Sequence, residues 1–219
     1  AGPSAFHTKT FYTMPVPDLR FSKFLSYVLH PLIIPTLATA ALLMRPDLYS
    51  IVLPLWLKLW YISVVFAFTW LIPAAGVFIL LRVKAIYSIE MSQRGERTIP
   101  LLIASTSYMA LMFFVRPTNI PPLFLYVVYS ATFALLAGLL INMVYKISLH
   151  TLGWGAITAT LISISLRLGL PMLTLISVSI LLAGLAGYAR LKENAHNQTQ
   201  VYLGYIAGAA IVMLIIFLV

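Results

Sequence analysis

The sequence predicts an all-α fold, a polytopic membrane helix bundle of about six or seven transmembrane helices. Hydrophobic residues make up 62% of the 219 residues, charged residues only 9%, and the mean hydropathy is +1.00. A soluble domain carries about 25% charged residues, so this chain has too few to cover its surface in water. We therefore expect a single integral membrane domain over residues 1–219, in which residues 1–24 form a polar or interfacial N-terminal segment.

Seven apolar runs reach or approach the length of about 20 residues that a spanning helix needs. Charged residues or prolines end most of them, as Arg45 and Pro46 do after the first run. The runs are Leu25–Met44, Leu59–Leu81, Ile99–Val115, Leu123–Tyr145, Leu149–Leu166, Leu170–Tyr188 and Val201–Val219. The number of spans is six if one run is short or re-entrant. The Gly204 and Gly208 pair in the last run is typical of a face that packs closely against another helix.

Three polar segments follow the second, fourth and sixth predicted spans: Arg82–Arg97, Lys146–His150 and Arg190–His196. Because alternate span ends return to the same membrane face, these segments are expected to converge at one surface. Ten of the 14 Lys and Arg residues fall on that face. The positive-inside bias alone would place such a face in the cytoplasm.

The net charge of +9 has two ordinary sources in a membrane protein: anchoring by anionic lipid head groups together with the positive-inside bias, or a pocket for an anionic ligand. The cations are scattered between apolar spans and form no basic tail, so we expect membrane lipids and an anionic ligand rather than nucleic acid. Cysteine is absent, which excludes disulfide bonds and thiolate chemistry.

Histidines and arginines carry the predicted chemistry. His196 and Gln200 are spaced one helical turn apart, so the amide can reach the imidazole, and Arg190 supplies a forked donor suited to phosphate oxygens. With His150 as a second imidazole and few carboxylates nearby, one imidazole can attack phosphorus while the other protonates the departing oxygen. No cofactor is expected, and no metal, because this face lacks a compact His/Asp/Glu set. His30 is expected to be structural or interfacial.

These segments resemble the three signature motifs of the type 2 phosphatidic acid phosphatase superfamily, the membrane lipid phosphate phosphatases related to vanadium haloperoxidases. The third family motif has Ser-Arg, five residues, His, three residues and Asp, and here reads Ala189-Arg190, His196 and Gln200 at that spacing. The second, Pro-Ser-Gly-His, appears as residues 147–150. The first, a Lys followed six residues later by Arg-Pro, is matched loosely by Arg94, Arg97 and Pro100.

The resemblance implies a role for each matched residue. His196 would be the nucleophile that forms a phosphohistidine, and His150 would be the general acid. Gln200 takes the position of the residue that orients the nucleophile. The phosphate would be held without metal by five further residues: Arg190, Arg97, Arg94, Lys146 and Ser148. The implied substrate is a lipid phosphate monoester, such as a polyprenyl, phosphatidyl or phosphatidylglycerol phosphate.

The departures from the family motifs keep two alternatives open. Gln200 replaces an Asp, and an amide cannot stabilise an imidazolium electrostatically as a carboxylate does. Ala189 replaces a phosphate-contacting Ser, and Leu149 replaces a Gly. The chain could therefore be a weakened or inactive homologue that binds or transports phospholipids, or a lipid phosphotransferase. The compact loops suit a bacterial inner membrane, and the resemblance favours a periplasmic site over the cytoplasmic one that the cation count favours.

Overall fold

The computed structural model describes residues 19–45, 53–88, 91, 95–116 and 122–218, and all regular structure in these ranges is helical. The described residues form eight helices, and six of them are long and apolar enough to cross a membrane. The prediction of an all-α membrane helix bundle is confirmed. The helices are α1 (Leu19–Val28), α2 (Ile34–Leu43), α3 (Leu55–Arg82), α4 (Thr98–Val115), α5 (Pro122–Val144), α6 (Leu149–Leu168), α7 (Leu173–Lys192) and α8 (Gln198–Leu218).

The first predicted span is not one helix, which corrects the larger count of seven. In its place α1 ends at Val28 and α2 begins at Ile34. Each has ten residues and so covers about 15 Å, half of the roughly 30 Å hydrocarbon thickness. Pro31 disfavours a helical conformation at the preceding His30, and the N–H of Ile33 closes a turn on the His30 carbonyl at 3.0 Å.

The second predicted span is longer than expected, because α3 runs for 28 residues. It contains a π-helical turn at Ala67–Leu71. Pro73 lies two residues after the turn. It lacks an N–H and crowds the carbonyl one turn earlier, so we attribute the wider turn to it. The five later predicted spans agree with α4 to α8 to within four residues at each end.

Helix α6 lies at the centre of the bundle, where it packs against α5, α7 and α8. Glycines allow its close contact with α8. A Cβ atom on Gly204 would lie 2.6 Å from the Ser148 carbonyl oxygen, and one on Gly208 would overlap the Leu152 carbonyl. The small-residue face predicted in the last span is therefore a packing surface. It fixes the start of α6 beside the start of α8, where two of the three polar segments lie.

Candidate active site

A cavity of about 990 Å³ lies among α1 to α6, the end of α7 and the segment that follows α7. One end of its wall carries ionisable side chains, and we call it the polar end: Lys23, His30, Arg97, Lys146, His150, Arg190, Glu193 and His196. The remaining wall is mostly apolar and reaches Thr160, about 15 Å along α6 from His150 at 1.5 Å per residue. The cavity thus joins a cationic end to an apolar body inside the bundle.

The eight residues predicted from the sequence fall into two groups. Those that line the polar end are Arg97, Lys146, His150, Arg190 and His196. Gln200 contacts His196 without lining the cavity, Ser148 is fully buried elsewhere, and Arg94 lies outside the described residues. The convergence of the three polar segments is therefore present in the structure, whereas the chemical roles of these residues stay predictions.

Ser148 serves the helix rather than the cavity. Its hydroxyl caps α6 by accepting the N–H of Thr151 at 3.4 Å. Its own N–H donates to the Gln200 carbonyl at 3.1 Å, and the Thr151 hydroxyl donates to the Val201 carbonyl at 2.8 Å. These bonds tie the second polar segment to the third. The position of Ser148 does not support the predicted phosphate contact.

The end of α7 sets the position of His196. Asn194 adopts a left-handed conformation with φ of 53°, and its N–H donates to the Leu191 carbonyl at 3.0 Å, while the Ala195 N–H donates to the Arg190 carbonyl at 3.1 Å. This pair of bonds is the Schellman motif, and Asn tolerates its left-handed residue. Because α7 continues to Lys192, Arg190 lies in the last turn of the helix and not beyond its end, as the predicted span Leu170–Tyr188 implied.

Gln200 fixes the protonation of the His196 ring. Its Oε1 lies 3.0 Å from His196 Nδ1 and also accepts the Asn197 N–H at 3.3 Å. Since a backbone N–H can only donate, the amide oxygen and not the amide nitrogen faces this point. His196 Nδ1 must then carry the proton, which leaves the lone pair on Nε2. The Gln200 N–H in turn donates to Asn197 Oδ1 at 2.9 Å, so the start of α8 holds this arrangement in place.

Burial lowers the pKa of His196 to about 3, although the hydrogen bond with Gln200 raises it, and Arg97, Arg190 and Lys146 lower it further. The side chain is 7% exposed. At neutral pH the ring is therefore uncharged, with an unprotonated Nε2. An uncharged imidazole in this tautomer is a nucleophile.

Arg190 is held by an acidic partner and a hydroxyl. Its Nη1 donates to Glu193 Oε2 at 2.8 Å and to Ser26 Oγ at 3.3 Å. The Ser26 hydroxyl donates to Glu193 Oε1 at 2.8 Å. Both members of the ion pair are 13% exposed. The network connects α1 to the end of α7, and it brings one carboxylate into a wall that otherwise carries cations.

Arg97 and Lys146 complete the cationic wall. Arg97 closes the 3₁₀ turn Gly95–Arg97, is 7% exposed and donates Nε–H to the Met91 carbonyl at 2.8 Å. Burial, together with the guanidinium groups of Arg97 and Arg190, lowers the pKa of Lys146. Arg97, Lys146 and Arg190 all line the polar end of the cavity.

His150 is oriented from α1. Its Nε2 lies 3.1 Å from the Ser26 carbonyl oxygen, which can only accept, so Nε2 carries a proton. A transferable second proton would have to reside on Nδ1, and the ring would then be an imidazolium. The predicted role of general acid is compatible with this arrangement only in that protonated form.

His30 is the site residue that sequence reasoning missed. It was expected to be structural or interfacial, yet it lines the polar end, and its ring lies edge-on to the His150 ring at 5.3 Å between centroids. Burial, then the charge of Arg190, lowers the pKa of His30 to about 4. A histidine before proline inside an apolar run was the available signal. No comparable signal marked Ser26 or Glu193.

In the part of the chain that the structure describes, no group of three or more His, Asp or Glu residues could hold a metal ion.

Comparison with family models, curated proteins and solved structures gave no match to this chain. The class that the fold defines is thus an integral membrane helix bundle with a cationic, histidine-bearing cavity. The family resemblance of its motifs stays a prediction.

Proposed function

We propose that the protein is a membrane lipid phosphate phosphatase that acts through a phosphohistidine. The observation that carries this proposal is the position of His196. Its unprotonated Nε2 belongs to a cavity wall that also holds Arg97, Lys146 and Arg190, and the same cavity continues into an apolar body. A lipid phosphate monoester has the matching parts, a dianionic head and a hydrocarbon chain. Polyprenyl, phosphatidyl and phosphatidylglycerol phosphates are the candidate substrates.

In the first step His196 Nε2 attacks phosphorus, the P–N bond forms, and the bond from phosphorus to the lipid oxygen breaks. The departing oxygen takes a proton from Nδ1 of a protonated His150, whose Nε2–H stays on the Ser26 carbonyl. The cations neutralise charge on the equatorial oxygens in the transition state, where such stabilisation is most effective. The products of this step are the lipid alcohol and phosphohistidine.

In the second step a water molecule attacks phosphorus and the P–N bond breaks. His150 Nδ1 accepts the proton of that water, and inorganic phosphate leaves. His196 then returns to its uncharged form with Nδ1–H on Gln200. Neither step needs a metal or a cofactor, so we expect activity to persist in EDTA.

Phosphate release from a panel of lipid phosphates in detergent, without added metal, tests the proposal. The wild type should release phosphate in EDTA, and His196→Ala should release none while it keeps the melting temperature of the wild type. The protein is also treated briefly with a ³²P-labelled substrate. A protein that carries no label, or a label that survives acid, would argue against the covalent step. Absence of release from every lipid, in folded protein, would reject the phosphatase function.

A second candidate function rests on Gln200 and Glu193. The Gln200 amide places no negative charge beside His196. The Glu193 carboxylate already accepts a hydrogen bond from Arg190, with 2.8 Å between Oε2 and Nη1. Both features suit a homologue that binds or transports phospholipids without hydrolysing them. Retention of lipid phosphate on purification together with no turnover would favour this reading.

We further propose that the protein resides in a bacterial inner membrane with the polar end facing the periplasm. Tyr87 follows α3 on the face of the polar end and is 85% exposed. The chain has no cysteine, so a Tyr87→Cys variant carries a single thiol. Labelling of that thiol by a membrane-impermeant maleimide in intact spheroplasts would support the periplasmic orientation. Labelling only after lysis would indicate that the polar end faces the cytoplasm.

A further inference from the structure

The break between α1 and α2 presents a third imidazole to the polar end. His30 lies outside both helices because Pro31 follows it, and its carbonyl accepts the Ile33 N–H at 3.0 Å. The ring faces the same cavity as His150 and Arg190. Its placement therefore does not come from helix periodicity but from a tight turn that holds the side chain in the wall.

Backbone contacts fix the tautomer of His30. The Leu32 N–H points at His30 Nδ1 at 3.3 Å, and since an N–H can only donate, Nδ1 holds the lone pair. The proton of the uncharged ring is then on Nε2. Within the described part of the chain, His30 Nε2 makes no hydrogen bond to a protein acceptor.

The other two imidazoles of the cavity have different free atoms. His196 presents an unprotonated Nε2, and His150 has its Nε2–H on the Ser26 carbonyl. When all three rings are uncharged, His30 is thus the one with an N–H left for a ligand, and the Nδ1–H that His150 gains on protonation is the one assigned to the departing lipid oxygen. Burial, then the charge of Arg190, lowers the pKa of His30, so the ring stays uncharged more readily than a free histidine, and a second proton on Nδ1 would also displace the Leu32 N–H.

We propose that His30 is a substrate-binding residue that donates its Nε2–H to an oxygen of the phosphate group held at the polar end. This inference rests on the proposed function, because it concerns the same anion site. A neutral donor adds a hydrogen bond to the anion without adding to the repulsion among Arg97, Lys146 and Arg190. No proton is transferred, and the ring remains neutral throughout.

Two substitutions of His30 test its N–H donor separately from its aromatic ring. His30→Phe keeps a ring for the edge contact with His150 but removes the N–H, whereas His30→Gln keeps an N–H donor. We expect His30→Phe to weaken binding of inorganic phosphate by about 10- to 100-fold, the effect of losing a hydrogen bond to a charged group. His30→Gln should stay within about threefold of the wild type. The same order should appear in KM for a lipid phosphate, which tests whether the headgroup uses the same donor.

Binding is measured by calorimetry in detergent, with melting temperatures as the control for folding. Equal binding by His30→Phe and wild type, or an equal loss in both variants, would overturn the assignment of His30 as a donor. The wild type supplies an independent measurement, since the chain has only four histidines. In ¹⁵N-histidine spectra the Nε2–H resonance of His30 should move on saturation with phosphate, and an unmoved resonance would also overturn it. A wild type that binds no phosphate at all would instead reject the proposed function.

Discussion

Replacing Gln200 with Glu converts the neutral partner of His196 into a charged one at nearly the same position. Glu matches Gln in size, and a carboxylate oxygen can accept both the His196 Nδ1–H and the Asn197 N–H that the amide oxygen accepts at 3.0 and 3.3 Å. The cap at the start of α8 is therefore retained. Gln200→Asp would introduce the residue of the motif that the sequence resembles but would shorten the side chain, so Glu is the cleaner test of charge.

The size of the effect follows from the distance. A full negative charge about 4 Å from the centre of an imidazolium contributes about 4 kcal/mol at an effective dielectric constant of about 20. The ring becomes cationic as Nε2 bonds to phosphorus, and if about half of that charge has developed in the transition state, the barrier falls by about 2 kcal/mol. Desolvation of the new carboxylate offsets part of this gain. We expect the single-turnover rate constant to rise by about tenfold, which corresponds to about 1.4 kcal/mol.

The assay is single-turnover phosphate release from a lipid phosphate at saturating enzyme, measured across pH. The same carboxylate should raise the pKa of His196 from its wild-type value of about 3, so the acid limb of activity should move to higher pH. Gln200→Met, which lacks the acceptor oxygen, should be slower than the wild type. A Gln200→Glu rate within twofold of the wild type, in a variant that still binds phosphate, would refute the electrostatic reasoning.

Three further predictions use other parts of the structure. Glu193→Gln should tighten inorganic phosphate binding by about tenfold, because the carboxylate on Arg190 competes with the anion; weaker binding in calorimetry would show that the pair only supports the fold. The melting temperature in detergent should fall as pH drops from about 6.5 towards 4, because His30 and His196 have folded pKa values of about 4 and 3 and the unfolded chain binds more protons in this window; a constant melting temperature would contradict those values. Gly208→Ala should destabilise the bundle by about 1–3 kcal/mol because its Cβ meets the Leu152 carbonyl, whereas Gly184→Ala, with no neighbour within 4 Å of its Cβ, should not; equal melting temperatures would show that α8 shifts freely.

The part of the fold that could be predicted from the sequence is the set of helices formed by long apolar runs. Helix α6, for example, spans Leu149–Leu168 where the sequence predicted Leu149–Leu166, because length and hydropathy define a membrane helix. The break at Pro31 was harder to foresee, since a proline inside a membrane helix is often accommodated by a kink. The same kind of residue produced a π turn before Pro73 and no break. Tertiary packing, and not local sequence, decides between these outcomes.

The predictable part of the site was the part with local spacing. The contact between His196 and Gln200 spans four residues, and helical geometry alone anticipates it. The contacts of Ser26 with Glu193, and of His150 with the Ser26 carbonyl, join residues 167 and 124 positions apart. No periodicity links such residues. Ser26 and Glu193 meet because α1 packs against α7, which a single sequence does not reveal.

The three imidazoles of the cavity acquire different chemistry from neutral partners. A side-chain amide directs the lone pair of His196 to Nε2, a carbonyl keeps a proton on His150 Nε2, and a backbone N–H leaves the proton of His30 on Nε2. One ring can therefore attack, one can take up and release a proton at Nδ1, and one can donate a hydrogen bond. A carboxylate on any of them would strengthen one proposed role but cancel a positive charge that the proposed anion site uses. The neutral amide of Gln200 leaves the positive charge of the cations available to the proposed phosphate ligand. A gain of rate in Gln200→Glu should therefore be accompanied by weaker phosphate binding.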